Sequence, residues 1–155
     1  MSMLAGPMLA AANPAWAAGQ SAGPCTGPGF PATAPHLNVT VTGARSVAGN
    51  VTFTLYGSDP AAFLAHRGSI ALIRSPLSAN QAAACFAVSA AGIYAVAVYH
   101  DENDNHHFDR TLIGLPAEGY GFSNDAPIRL GPPSFAAVRF QVGPGDNRIA
   151  IRLRY

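Results

Sequence analysis

The sequence contains no lysine: all nine basic residues are arginine, set against eight Asp and Glu, and charged residues make up only 11 % of the 155 positions. With a formal net charge of +1 there is no concentrated basic face to grip a phosphate backbone, which excludes a nucleic-acid partner. Long apolar runs are also missing. Pro7, Asn13 and Pro14 interrupt the most apolar segment before it reaches the roughly 20 residues of a membrane helix, so the chain does not read as an integral membrane protein. There are only two cysteines, Cys25 and Cys85, and neither has a C-x-x-C partner, which leaves zinc-ribbon and dithiol redox roles without support. No period of about 20 to 50 residues recurs, which excludes solenoids and propellers.

What is present points to one β-rich domain. Hydrophobic residues reach 49 %, enough to close a core, and 16 Gly and 13 Pro separate short β-branched runs. Residues 1–18 are small and apolar, and Ala15-Trp16-Ala17 has the form that signal peptidase cuts behind. They are expected to be a signal peptide, without the usual basic n-region, that directs the protein to the periplasm or outside the cell. Residues 19–36 read as a flexible Pro- and Gly-rich lead, and 37–155 as the folded domain. In an oxidising compartment Cys25 and Cys85 are a candidate disulfide; the alternative is two separate thiols, with Cys85 buried as a small hydrophobe.

Period-two alternation predicts strands over Leu37 to Thr42, Val51 to Tyr56, Gly68 to Arg74, Ala83 to Ala90, Phe135 to Val142 and Arg148 to Arg154. Asp59 followed by Pro60 predicts a capped helical turn. Gly92 to Tyr99 is apolar on both faces, as expected of a strand at the centre of a sheet. About seven short strands predict an all-β, antiparallel two-sheet sandwich, immunoglobulin-like or transthyretin-like. Asn-Val-Thr occurs at Asn38 and Asn50, but strand alternation produces that triplet without any glycan.

Six of the eight acidic residues and three of the five histidines fall between Tyr99 and Asp125. Asp101, Asn103, Asn105 and Asp109 occupy places one, three, five and nine of a loop, and His107 would offer its carbonyl at place seven. That spacing wraps oxygen ligands around Ca²⁺, and makes calcium the candidate cofactor. Place six is His106 in place of Gly, and place twelve is Leu112 in place of a bidentate Glu, so any site is weak and structural. The competing reading is a loop tip whose Asp and Asn side chains bond their own backbone.

An alternative gives His100, His106 and His107 to a transition metal, and another gives Glu118 and Asp125 to an envelope-polymer hydrolase. Gly121 to Asp125 resembles a nucleophile elbow only in part, and no orienting partners for Ser123 are evident. Glu118, Tyr120 and Phe122 form a candidate surface for an envelope protein or glycan. The leading expectation is a non-catalytic exported binding or structural module.

Several runs resemble one family: G-I-Y-A-V-A-V-Y-H-D-E-N-D-N from Gly92 to Asn105, F-D at Phe108 and Asp109, E-G-Y-G-F-S-N from Glu118 to Asn124, and G-P-P-S-F from Gly131 to Phe135. Together they resemble the bacterial exported family called domain of unknown function 2141, over roughly Leu37 to Tyr155. The resemblance implies a secreted or periplasmic β-sandwich with no established activity. Its members usually carry Gly where this chain has His106, and often Gly where it has Asp104.

Overall fold

The computed structural model describes Cys25 and residues 31–155. The expected signal peptide and most of the lead fall outside the described residues. The strands are β1 His36–Thr42, β2 Asn50–Tyr56, β3 Ala71–Pro76, β4 Gln81–Ala87, β5 Gly92–Asp101, β6 Tyr120–Phe122, β7 Phe140–Val142 and β8 Asp146–Arg152. They form a sandwich of two sheets, one ordered β4-β1-β8 and the other β3-β2-β5-β6, with β7 also on β5. Pairing is antiparallel throughout except between β1 and β8, which run parallel. The alternation of Ile149, Ile151 and Leu153 specifies which face is buried and is silent on strand direction.

The interior lies between the sheets. Leu37, Val39 and Val41 of β1 meet Val51, Phe53 and Leu55 of β2, with Val96 and Val98 of β5 and Phe86 of β4 closing the cluster. Burying each such side chain contributes about 1.5–3 kcal/mol. The odd residues of β5 point the other way. Ala95 is fully buried in a second cluster with Tyr56, Phe122, Ala126 and Val138, packed on the outer face of the larger sheet. The inner face of β5 is buried, and its outer face is covered at Ala95 and half-buried at Ala97 and Tyr99.

Two segments depart from their expected form. Phe135–Val138 is a single helical turn, with only Phe140–Val142 extended. Val138 serves the outer cluster and Val142 the interior, so the two cannot share one strand face. Tyr120–Phe122, read from the sequence as part of a candidate surface and not among the expected strands, is a strand that pairs Tyr120 with Tyr99 of β5. On its other side Tyr120 exchanges two 2.9 Å backbone hydrogen bonds with Arg154, stitching the sheets at one corner. Gly121 permits that approach: a Cβ there would stand 2.7 Å from Ile151 Cγ2 and 2.8 Å from the Arg152 carbonyl oxygen. The Asp59 cap forms as expected, its Oδ1 accepting from the Ala61 N–H at 2.9 Å ahead of a 3₁₀ turn at Pro60–Ala62. Asn38 and Asn50 are both buried on strands.

Candidate functional site

The loop after β5 is clamped at its base. His100 is fully buried; its Nε2–H donates to the Ala48 carbonyl at 2.8 Å, and its Nδ1 accepts from the Tyr155 hydroxyl at 2.7 Å. Carbonyls only accept, so this pairing assigns the Nε2 tautomer. Gly49, at φ +66, passes so close to Asp101 that a Cβ there would collide with the Asp101 carbonyl oxygen. Arg45 donates twice from Nε to the Glu102 carboxylate, at 3.0 and 3.1 Å, and Ser46 Oγ adds a bond of 2.8 Å. The Arg45 guanidinium holds the Glu102 carboxyl below its ordinary range. The turn between β1 and β2 thereby fixes the exit of β5.

Within the loop the carboxylates and amides are fully engaged. Asp101, itself wholly buried, accepts the N–H of Asn105 at 3.1 Å and of His106 at 2.8 Å. Asn103 Oδ1 accepts from Asn105 N–H at 3.0 Å, and Asn105 Oδ1 from His107 N–H at 2.8 Å. The amide nitrogens of Asn103 and Asn105 converge on the Asp109 carboxylate, at 2.7 and 2.9 Å. Asp104 and His106 are left-handed, at φ 57 and 66. These are the two positions where the family resemblance implies Gly, and Asp and His are among the side chains that tolerate this region. The tight turn forms with both substitutions in place.

Glu118 was expected on a partner surface, but it is only 4 % exposed. It lies behind the loop, where its two oxygens accept the N–H groups of Glu102 at 3.3 Å and Asp109 at 3.1 Å. Burial pushes its carboxyl above the usual range, and the neighbouring Asp109 and Asp101 carboxylates push the same way. The hydrolase arrangement does not assemble. Asp125 is committed elsewhere, its Oδ1 accepting from the Arg152 N–H at 2.9 Å and its Oδ2 facing Arg154 at 3.7 Å.

Ser123 is not a nucleophile elbow. Its fully buried hydroxyl donates to the Val138 carbonyl at 2.6 Å and accepts the Val96 N–H at 3.0 Å. It thus fills the gap on the β5 edge between the residues paired with β6 and those paired with β7. The transition-metal grouping also fails: His100 is sealed in its two hydrogen bonds while His106 and His107 are exposed. Among the described residues, no three His, Cys, Asp or Glu side chains gather as a metal-holding group. Cys25 and Cys85 are bonded to each other, Cα to Cα 5.7 Å.

A groove of about 820 Å³ opens on the outer face of β2, β5 and β6, a volume typical of small-molecule sites. Its floor carries a row of edge-on rings, Tyr99 to Phe108 at 5.6 Å, Phe108 to Tyr120 at 5.6 Å and Tyr120 to Phe122 at 6.1 Å. Tyr120 and Phe122, expected to contact a partner, face this groove. Its rims come from residues 108–116 and 128–132, with exposed Leu115 and Leu130, and Leu64 joins from the segment after β2. Sequence reasoning passed over this site because its lining comes from six separated segments. The available signal was a set of apolar residues, Leu112, Ile113, Leu115 and Leu130, stranded among Gly and Pro without periodic partners. All four are exposed.

Among the described residues no helix is long and apolar enough to cross a membrane. Neither the curated proteins nor the solved structures contain a match to the chain. A family model described as an uncharacterized protein conserved in bacteria (DUF2141) matches residues 39–150. The chain belongs to this bacterial family of unknown function.

Proposed function

We propose that this protein is an exported, non-catalytic β-sandwich module that receives an apolar ligand, or an apolar segment of an envelope partner, in the groove over β5. One observation carries the reading: a recessed aromatic floor over β5 and β6, bordered by the exposed Leu64, Leu115 and Leu130. Exposed apolar side chains gathered around a concavity mark binding sites more often than scattered ones do. Export draws support from the Ala15-Trp16-Ala17 motif and from the Cys25–Cys85 pairing, a bond that persists in oxidising compartments. The neutral fluorescent probe Nile red should bind the purified protein. The exposed double substitution Leu115→Asp, Leu130→Asp should weaken that binding about tenfold or more while leaving the melting temperature unchanged. No binding, or equal binding by the variant, would remove the groove as the seat.

The second reading is a weak calcium site in the Asp101 to Asp109 loop. It is favoured by the convergence of Asn103 and Asn105 on Asp109, with the raised Glu118 carboxyl beside Asp109 and Asp101. Turning the two amides would exchange their bonds to the Asn105 and His107 N–H groups for contacts with a cation, which would relieve the crowding of carboxylates. Millimolar Ca²⁺ should then raise the melting temperature by binding the folded state, and Asp109→Ala should abolish the rise. An identical melting temperature with Ca²⁺ and with chelator rules the site out.

A further inference from the structure

The groove has an uneven chemistry that narrows what it can hold. Its charged lining groups are Arg110 and Arg129, and no acidic side chain lines it. One arginine belongs to the 108–116 segment and the other to the 128–132 segment. Arg45 and Arg154 elsewhere face Glu102 and Asp125, whereas neither groove arginine makes an ion pair among the described residues. Arg110 donates to the Gly114 carbonyl at 3.1 Å, and its guanidinium carbon stands 5.3 Å from the Phe108 ring centroid. These contacts hold the group at the mouth and leave its charge unneutralised.

An apolar trough whose charged lining groups are two guanidinium groups is complementary to a molecule with an apolar body and an anionic head. Resting on the groove as the binding seat, the geometry points to a free single-chain amphiphile with a carboxylate head. Its chain lies over Ala97, Tyr99 and Tyr120, and its head lies between Arg110 and Arg129. The recessed floor suits one chain better than a flat bilayer. The acidic residues Asp104 and Asp109 precede Arg110 and would meet a sheet of lipid phosphates with repulsion, which a single carboxylate avoids.

The test displaces Nile red from the full chain at pH 8 with dodecanoate, dodecanol and dodecyltrimethylammonium, each below its micelle-forming concentration. Dodecanoate should act at about fivefold lower concentration than dodecanol, and the cation should be weakest. In Arg110→Gln, Arg129→Gln that advantage should vanish while dodecanol is unaffected. Both arginines are exposed, so the fold should not depend on them, which circular dichroism will check. Equal displacement by dodecanoate and dodecanol in the unaltered protein overturns the anionic-head inference and leaves the groove reading standing. Failure of all three to displace the probe overturns both. Co-sedimentation with phosphatidylglycerol vesicles that excess dodecanoate does not reduce would assign the face to a membrane surface. A dimer that persists in dodecanoate would assign it to a second copy. Either result overturns the inference.

Discussion

Replacing Asp101 by alanine is expected to lower the stability of the protein by about 3 kcal/mol, because two hydrogen bonds to a charged acceptor are lost together. The carboxylate is fully buried and accepts the N–H groups of Asn105 and His106, so truncation strands the His106 donor and leaves the Asn105 N–H with Asn103 Oδ1 alone. Asp101→Asn keeps one acceptor oxygen and turns an NH₂ towards the other donor, and should destabilise by an intermediate amount. Urea unfolding of the three proteins measures the order. Identical midpoints for Asp101→Ala and the parent protein would show that the loop gains nothing from this side chain beyond what water supplies.

Removing the Cys25–Cys85 bond is expected to cost about 4 kcal/mol in the chain-entropy account. The sequence separation is 60, a long loop whose closure restricts the unfolded chain strongly. Cys85 sits on β4 opposite Asn38 of β1, so the bond ties the segment before the domain to the smaller sheet. For a chain of this length that change corresponds to a melting temperature lower by about 10 °C. Cys25→Ser with Cys85→Ala, compared with the oxidised parent, should show this loss, and the same double variant should be insensitive to reductant. A shift below about 2 °C would mean that the bond constrains little beyond the segment around Cys25.

The strands that were legible are those that bury one face or two. Leu37, Val39 and Val41 alternate with polar neighbours, and all three are fully buried. Gly92 to Tyr99 is apolar throughout and takes the central position between β2 and the β6 and β7 edge. The acidic loop was located correctly in the chain, and its left-handed turns fall at Asp104 and His106. Its internal bonding was beyond reach, since spacing alone does not say whether Asp101 and Asp109 face an ion or the backbone. Glu118, read as surface, is buried because β6 pairs with β5 and brings the residue before Gly119 behind the loop.

By itself the sequence determined the fold class, the central strand and the place of the loop, because period-two burial and turn residues are local properties written in neighbouring positions. Only the tertiary structure decided the parallel pairing of β1 with β8, the helical turn at Phe135–Val138, the Ser123 bridge on the β5 edge, and the groove. The pairing, the bridge and the groove join residues far apart in the chain, and the helical turn is set by Val138 packing into the outer cluster with Tyr56, Ala95 and Phe122. The arginines that give the groove its charge belong to two loops with no shared periodicity, and only the folded chain brings both to its lining.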